Sequence, residues 1–193
     1  MASDVSICNR ALRLLRVQPI TSFDEDGEAA GWCAETYGDA RDALIAEYPW
    51  KFATRRAALP ALSEAPTWGF ARAFPLPGDP ERCLRVLRLE GEPEAEALTY
   101  QVEGRRIVTD EPAPLRILYL ARVSDPTCYP PLFVEALAAR LAAEGAFHFT
   151  GSTSREAQLS DLYERKLALA RRFDAQEGSA AGIVADQWLR SRL

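Results

Sequence analysis

The stretch that decides the fold is Leu98-Thr99-Tyr100-Gln101-Val102-Glu103-Gly104-Arg105-Arg106-Ile107-Val108-Thr109. Leu98, Tyr100 and Val102 alternate with Thr99, Gln101 and Glu103, the period of two that places apolar side chains on one face of a strand. Gly104 supplies the turn into a second run around Ile107 and Val108, so the segment predicts an antiparallel hairpin. Working outward, prolines and glycines recur from Pro60 to Pro130. Short β-prone runs at 69–76, 83–89 and 115–122 join those at 98–102 and 106–109. The last run has Leu118 and Leu120 opposite Ile117 and Tyr119, which predicts burial on both faces. A small β module has no second layer of its own to cover both, so a neighbouring subunit is the expected cover.

Helical period flanks this region. Ser3 and Asp4 are N-cap residues, and Val5, Cys8, Leu12 and Leu15 share one face behind them, with Pro19 as the expected stop. Cys33, Tyr37, Ala40 and Leu44 form the face of a second helix, which should end near Tyr48 because Pro49 disfavours helical geometry in the residue before it. Pro131 opens a third, alanine-rich helix running to Gly145. A fourth begins near Ser154, with Leu159, Leu162, Tyr163, Leu167, Ala170 and Phe173 on its apolar face and Gly178 beyond its end. None of these helices is long enough to be stable alone, so the two pairs must bury their stripes against each other. The predicted class is α+β: a helical body of about four helices (1–59 and 130–178), an inserted antiparallel β domain (60–129) and an extended C-terminal arm (179–193).

Composition narrows the function. The chain has 193 residues, 48% hydrophobic and 26% charged, which is globular and excludes disordered and fibrous classes. No apolar run approaches the roughly 20 residues that cross a bilayer, and the first residues lack the order of a signal peptide. The expectation is a soluble protein made in the cytoplasm, with no membrane partner. Cys8, Cys33, Cys83 and Cys128 are spaced too widely for a metal cluster and are expected to be reduced core residues. A single histidine, His148, removes most metal sites and acyl-transfer triads, and no carboxylate beside it is indicated in sequence. Phe23-Asp24-Glu25-Asp26-Gly27 lacks the later ligands of a calcium loop and reads as an acidic first turn favoured by the helix dipole. Gly151-Ser152-Thr153-Ser154 has no Gly-Lys-Ser/Thr after it and reads as a linker with an N-cap. No cofactor or metal is expected, and no enzyme activity.

Two features point outward from the chain. Arginines cluster at Arg55 and Arg56 beside Lys51, at Arg85 and Arg88 beside Arg82, and at Arg105 and Arg106, interleaved with Trp50, Phe52, Trp68 and Phe70. Such mixing suits either contacts between subunits, where Arg and aromatic residues are enriched, or nucleic acid held by the segment Trp50-Lys51-Phe52-Ala53-Thr54-Arg55-Arg56. The net charge of −5 argues against a protein that coats nucleic acid, and the interface reading is preferred. Beyond Gly178, Ile183, Val184, Trp188, Leu189 and Leu193 form an apolar set too rich for a solvated tail. They are expected to contact a partner or a neighbouring subunit.

Several blocks occur together in a telling order: Cys8-Asn9-Arg10-Ala11-Leu12, Tyr48-Pro49-Trp50-Lys51-Phe52-Ala53-Thr54-Arg55-Arg56, Phe74-Pro75-Leu76-Pro77 and Arg82-Cys83-Leu84-Arg85-Val86. Tyr100-Gln101-Val102-Glu103-Gly104-Arg105, the run 119–125 and the helix 133–143 continue the order over nearly the whole chain. In this the sequence resembles the head-to-tail adaptors of tailed bacteriophages, the family around tail tubular protein A of podoviruses. The resemblance implies a helical body with an inserted β domain, assembled as a twelve-subunit ring under the portal protein in the virion neck. It also implies a platform for a tail nozzle, stopper or other tail protein, and a lumen through which DNA passes without being read. It brings no catalytic residues, and 179–193 carries no motif of the family.

Overall fold

The computed structural model describes residues 2–90 and 99–178. The first helix, α1 (Asp4–Leu15), starts at a reciprocal cap: the Ser6 amide donates to Ser3 Oγ at 3.1 Å and the Ser3 amide to Ser6 Oγ at 2.9 Å. It runs the expected three turns or so and ends at Leu15, the last residue of the expected apolar face, a few residues before Pro19. Arg16 takes the left-handed conformation (φ 62°), and the Val17 amide donates to the Leu12 carbonyl at 2.9 Å. That local turn satisfies the last carbonyls before proline is reached. The second helix, α2 (Glu28–Glu47), ends at an extended Tyr48 before Pro49, as expected.

The chain then makes a short 3-10 turn (Lys51–Ala53) and enters the sheet region earlier than expected. Residues 54–59, assigned above to the helical body, form strand β1 (Thr54–Leu59). Its sequence, Thr-Arg-Arg-Ala-Ala-Leu, favours a helix as readily as a strand; pairing with a neighbour overrides that weak preference. Five more strands follow: β2 (Arg72–Pro75), β3 (Cys83–Glu90), β4 (Tyr100–Glu103), β5 (Arg106–Thr109) and β6 (Leu115–Ala121). The hairpin β4–β5 turns at Gly104 (φ +60°). Leu98, expected at the head of β4, lies outside the described residues. Two antiparallel three-stranded sheets result, with strand orders β1-β6-β3 and β2-β5-β4. The class is α+β.

The helical body is completed by α3 (Pro131–Glu144), α4 (Ala146–Thr150) and α5 (Thr153–Gln176). Five helices therefore appear among the described residues where about four were expected; α4 is one turn and too short to show a period. Helix α3 is buried nearly all round because its alanines let α1 and α5 approach closely. Ser152 caps α5, its Oγ accepting from the Arg155 amide at 3.3 Å. On α5, Leu159, Leu167 and Ala170 are buried as expected, whereas Phe173 is 52% exposed.

Strand β6 joins the two halves. Leu115, Ile117, Tyr119 and Ala121 point into a core shared with Leu59, Phe74, Cys83 and Ile107, which lies between the two sheets. On the opposite face Leu120 belongs to the helical core, where Leu84 and Leu87 also pack. At Leu120 the second apolar face of β6 is covered by the chain's own helical core, whereas Leu118 on that face is half-buried and lies beside the exposed Arg56 and Arg88. The chain itself therefore covers the Leu120 end of the face for which a neighbouring subunit was the expected cover. A charged clamp seals the junction: Arg122 Nη2 lies 2.7 Å from Asp42 of α2, and its Nη1 lies 3.2 Å from Asp79.

Candidate functional site

The segment 50–56 was the candidate for binding nucleic acid, and its aromatic residues are spent inside the protein. Trp50 is 1% exposed, its Nε1 donates to the Leu44 carbonyl at 2.8 Å, and its ring meets those of Tyr48 and Phe133 edge-on. Phe52 packs on Phe133 and Tyr129 at ring-centre distances of 4.8 and 5.8 Å. A base cannot stack on a ring held in the core. Lys51 Nζ donates to the Ala175 carbonyl, and Arg55 Nη1 donates to the carbonyls of Phe52 and Thr54. Only Arg56 among the candidate cations of this segment is directed away from such bonds and exposed.

Register separates the six arginines singled out in the sequence. Directly opposed residues of an antiparallel pair project to the same face. Arg56, Leu118 and Arg88 therefore form one row across β1, β6 and β3, and Ala58, Arg116 and Glu90 form the next. Arg56, Arg88 and Arg116 are exposed, and Arg88 lies 3.0 Å from Glu90. Arg85 flanks these rows and donates to the Ala46 carbonyl at 3.3 Å, helping to satisfy the end of α2. Arg55 sits opposite Tyr119 on the other face of the sheet, 3.5 Å from Glu81. Arg105 is structural: its guanidinium donates to the carbonyls of Cys83 (3.1 Å) and Pro77 (2.6 Å). Arg106 belongs to the other sheet, exposed beside Glu103. Arg116 was missed in the sequence, although its place between Leu115 and Ile117 put it on the face of Leu118.

Other expectations resolve locally. Trp68 is 86% exposed on the loop before β2, so it can meet a partner. His148 does have a carboxylate beside it, with Nε2 3.1 Å from Glu28, but both side chains are well exposed. Glu25 does not serve the first turn of α2; it folds back, accepting from the amide and hydroxyl of Thr21 at 2.7 and 2.5 Å. Those hydrogen bonds hold its carboxyl below the ordinary range. Cys8, Cys33 and Cys83 are buried as expected, whereas Cys128 is exposed on a 3-10 turn. Among the described residues, no group of three or more His, Cys, Asp or Glu side chains is placed to hold a metal ion, and no helix is long and apolar enough to cross a membrane. Ile183, Val184, Trp188, Leu189 and Leu193 lie outside the described residues.

One buried acid makes a pH prediction. Asp174 near the end of α5 is 6% exposed and accepts from the Lys51 amide at 3.0 Å. Burial pushes its carboxyl above the ordinary value, although the Lys51 amide and charge pull the other way. A raised acid favours the protonated fold, so its contribution is favourable at low pH and is lost as pH rises through the folded value. Asp174→Asn keeps an oxygen acceptor and removes the charge. Thermal unfolding should therefore show the variant more stable than the parent at pH 7, with the difference shrinking as pH falls through the folded value; a gain independent of pH would contradict this account.

Comparison of the chain with protein-family models gives no match, and neither does comparison with curated proteins.

Proposed function

We propose that this protein is a structural head-to-tail adaptor of a tailed bacteriophage, without enzyme activity or cofactor. Subunits form a ring, of twelve by resemblance, below the portal protein in the virion neck, after synthesis in the host cytoplasm. The ring extends the DNA channel and offers a platform to a tail nozzle, stopper or other tail protein. DNA passes through the lumen without sequence-specific binding.

The observation that supports this reading is that the sequence blocks underlying the resemblance interlock in space. Asn9 of the first block brackets Ile20, donating to its carbonyl and accepting from its amide, both at 2.8 Å. Trp50 and Phe52 of the second block pack on Phe133 of the last. Arg105 ties the β4–β5 turn to Pro77 and Cys83 of two further blocks. Shared order in sequence thus corresponds to one frame joining helices to sheets. On that frame the exposed row of Arg56 and Arg88 suits contacts between subunits.

Assembly should depend on the portal, because a template raises the local concentration of subunits that carry net negative charge and repel one another. Sizing of the isolated protein should give mainly small species, and mixing with purified portal rings should give stoichiometric complexes visible by electron microscopy. Failure to bind any portal of a phage encoding this chain would refute the proposal. Tight, steeply salt-dependent binding of short duplexes would favour the nucleic-acid reading instead.

A further inference from the structure

We propose that the apolar groove at the C-terminal end of α5 receives this chain's own segment 183–193, within the same subunit. The groove is a cavity of about 370 Å³ walled by Trp50, Leu132, Phe133, Ala170 and Phe173, with Asp174 and Glu177 at its rim. Its walls include members of the aromatic cluster that joins α2, α3 and the entry to the first strand. The apolar stripe of α5 runs through Leu159, Leu167 and Ala170 under cover of the helical body, then continues to Phe173, which is 52% exposed. The helical body therefore ends one turn before the stripe does.

Three properties of the chain identify the occupant. First, α5 ends at Gln176, so the chain leaves from the rim of the groove with residues 179–193 still to come. Ile183 is five residues past Gly178, and an extended chain of that length reaches about 16 Å, enough to return to the cavity. Second, Ile183, Val184, Trp188 and Leu189 supply the side chains that an apolar groove of this size accepts. Third, Arg190 and Arg192 follow Trp188 and Leu189, and the exposed carboxylate of Glu177 lines the groove. A short tether gives an effective concentration on the order of millimolar, so at micromolar protein the same subunit outcompetes a second copy. The inference goes beyond the adaptor reading and does not rest on it.

Disulfide trapping in the full-length chain tests it. Cys128→Ser removes the exposed native thiol; Leu132→Cys with Leu189→Cys then places one thiol in the groove wall and one in the segment. Glu164→Cys with Leu189→Cys, at an exposed position earlier on α5, is the control. Under a mild thiol oxidant the groove pair should close within one chain at least about tenfold faster than the control, at a rate independent of protein concentration. Adding Phe173→Asp, at a half-exposed position that leaves the core intact, should bring the rate down to the control. Should Leu132→Cys unfold the protein by circular dichroism, Pro131→Cys at the exposed lip replaces it. Equal rates for groove and control pairs would overturn the proposal. So would cross-links only between chains, which would assign the groove to a second copy, or cross-links that appear only once portal is added. Portal binding is measured separately, so loss of the adaptor reading and loss of this one are distinguishable.

Discussion

Replacing Trp50 with alanine is expected to lower the stability of the subunit by about 3–5 kcal/mol, a large part of the 5–15 kcal/mol typical of a folded domain. Two losses add. The ring fills the space between α2, α3 and the entry to the sheets, touching Tyr48, Phe52 and Phe133, and its removal opens a cavity that these neighbours cannot collapse to fill. Its Nε1 also donates to the Leu44 carbonyl in the last turn of α2, and that buried acceptor is left with weaker satisfaction. Urea unfolding should show a midpoint shifted far to lower denaturant with little change in slope. Trp50→Phe should recover part of the loss, restoring apolar volume but not the hydrogen bond. Unchanged unfolding of the alanine variant with failed portal assembly would move Trp50 from the core to an interface.

Leu120→Ala should cost about 2–5 kcal/mol and, more tellingly, should weaken helices and sheets together. Leu120 is fully buried in the helical core while its strand neighbours Tyr119 and Ala121 lie in the core between the sheets. A cavity on one side of β6 loosens the strand that the other core is built upon. Helical circular dichroism and tyrosine absorbance should report one transition, displaced equally. Ile117→Ala, which opens the core between the sheets, should displace that same single transition. Two separate transitions, with the sheets unaffected by Leu120→Ala, would show that the halves fold independently.

These expectations rest on features that were unequally legible in the sequence. Ser3, Pro49, Gly104 and Pro131 act through backbone conformation within a few residues, so the start of α1, the end of α2, the hairpin turn and the start of α3 could be read directly. The length of α1 was readable too, although the stop itself is the left-handed turn at Arg16 rather than Pro19. β1 escaped notice because Thr-Arg-Arg-Ala-Ala-Leu has no alternation of its own and becomes a strand by pairing with β6. α4 is a single turn and leaves no periodic trace. The arginines were visible as a cluster, but whether a given one is structural or exposed depended on strand register. Arg105 is tied to two backbone carbonyls, whereas Arg56, Arg88 and the overlooked Arg116 are gathered on one face.

The sequence by itself determined that β6 is apolar on both sides, because alternation is a property of the strand alone: Leu115, Ile117 and Tyr119 one way, Leu118 and Leu120 the other. It could not determine what lies against each side. Cover is supplied by residues far along the chain, and an apolar face is equally stable against any close-packed apolar layer. Only the tertiary structure decided that the second face of β6 meets helices of the same subunit at Leu120, which packs beside Leu84 and Leu87, and stays half-buried at Leu118. The same reason applies at Trp50. Its place after a helix-ending proline was readable, but its burial required Phe133, more than eighty residues later in the chain, to close over it.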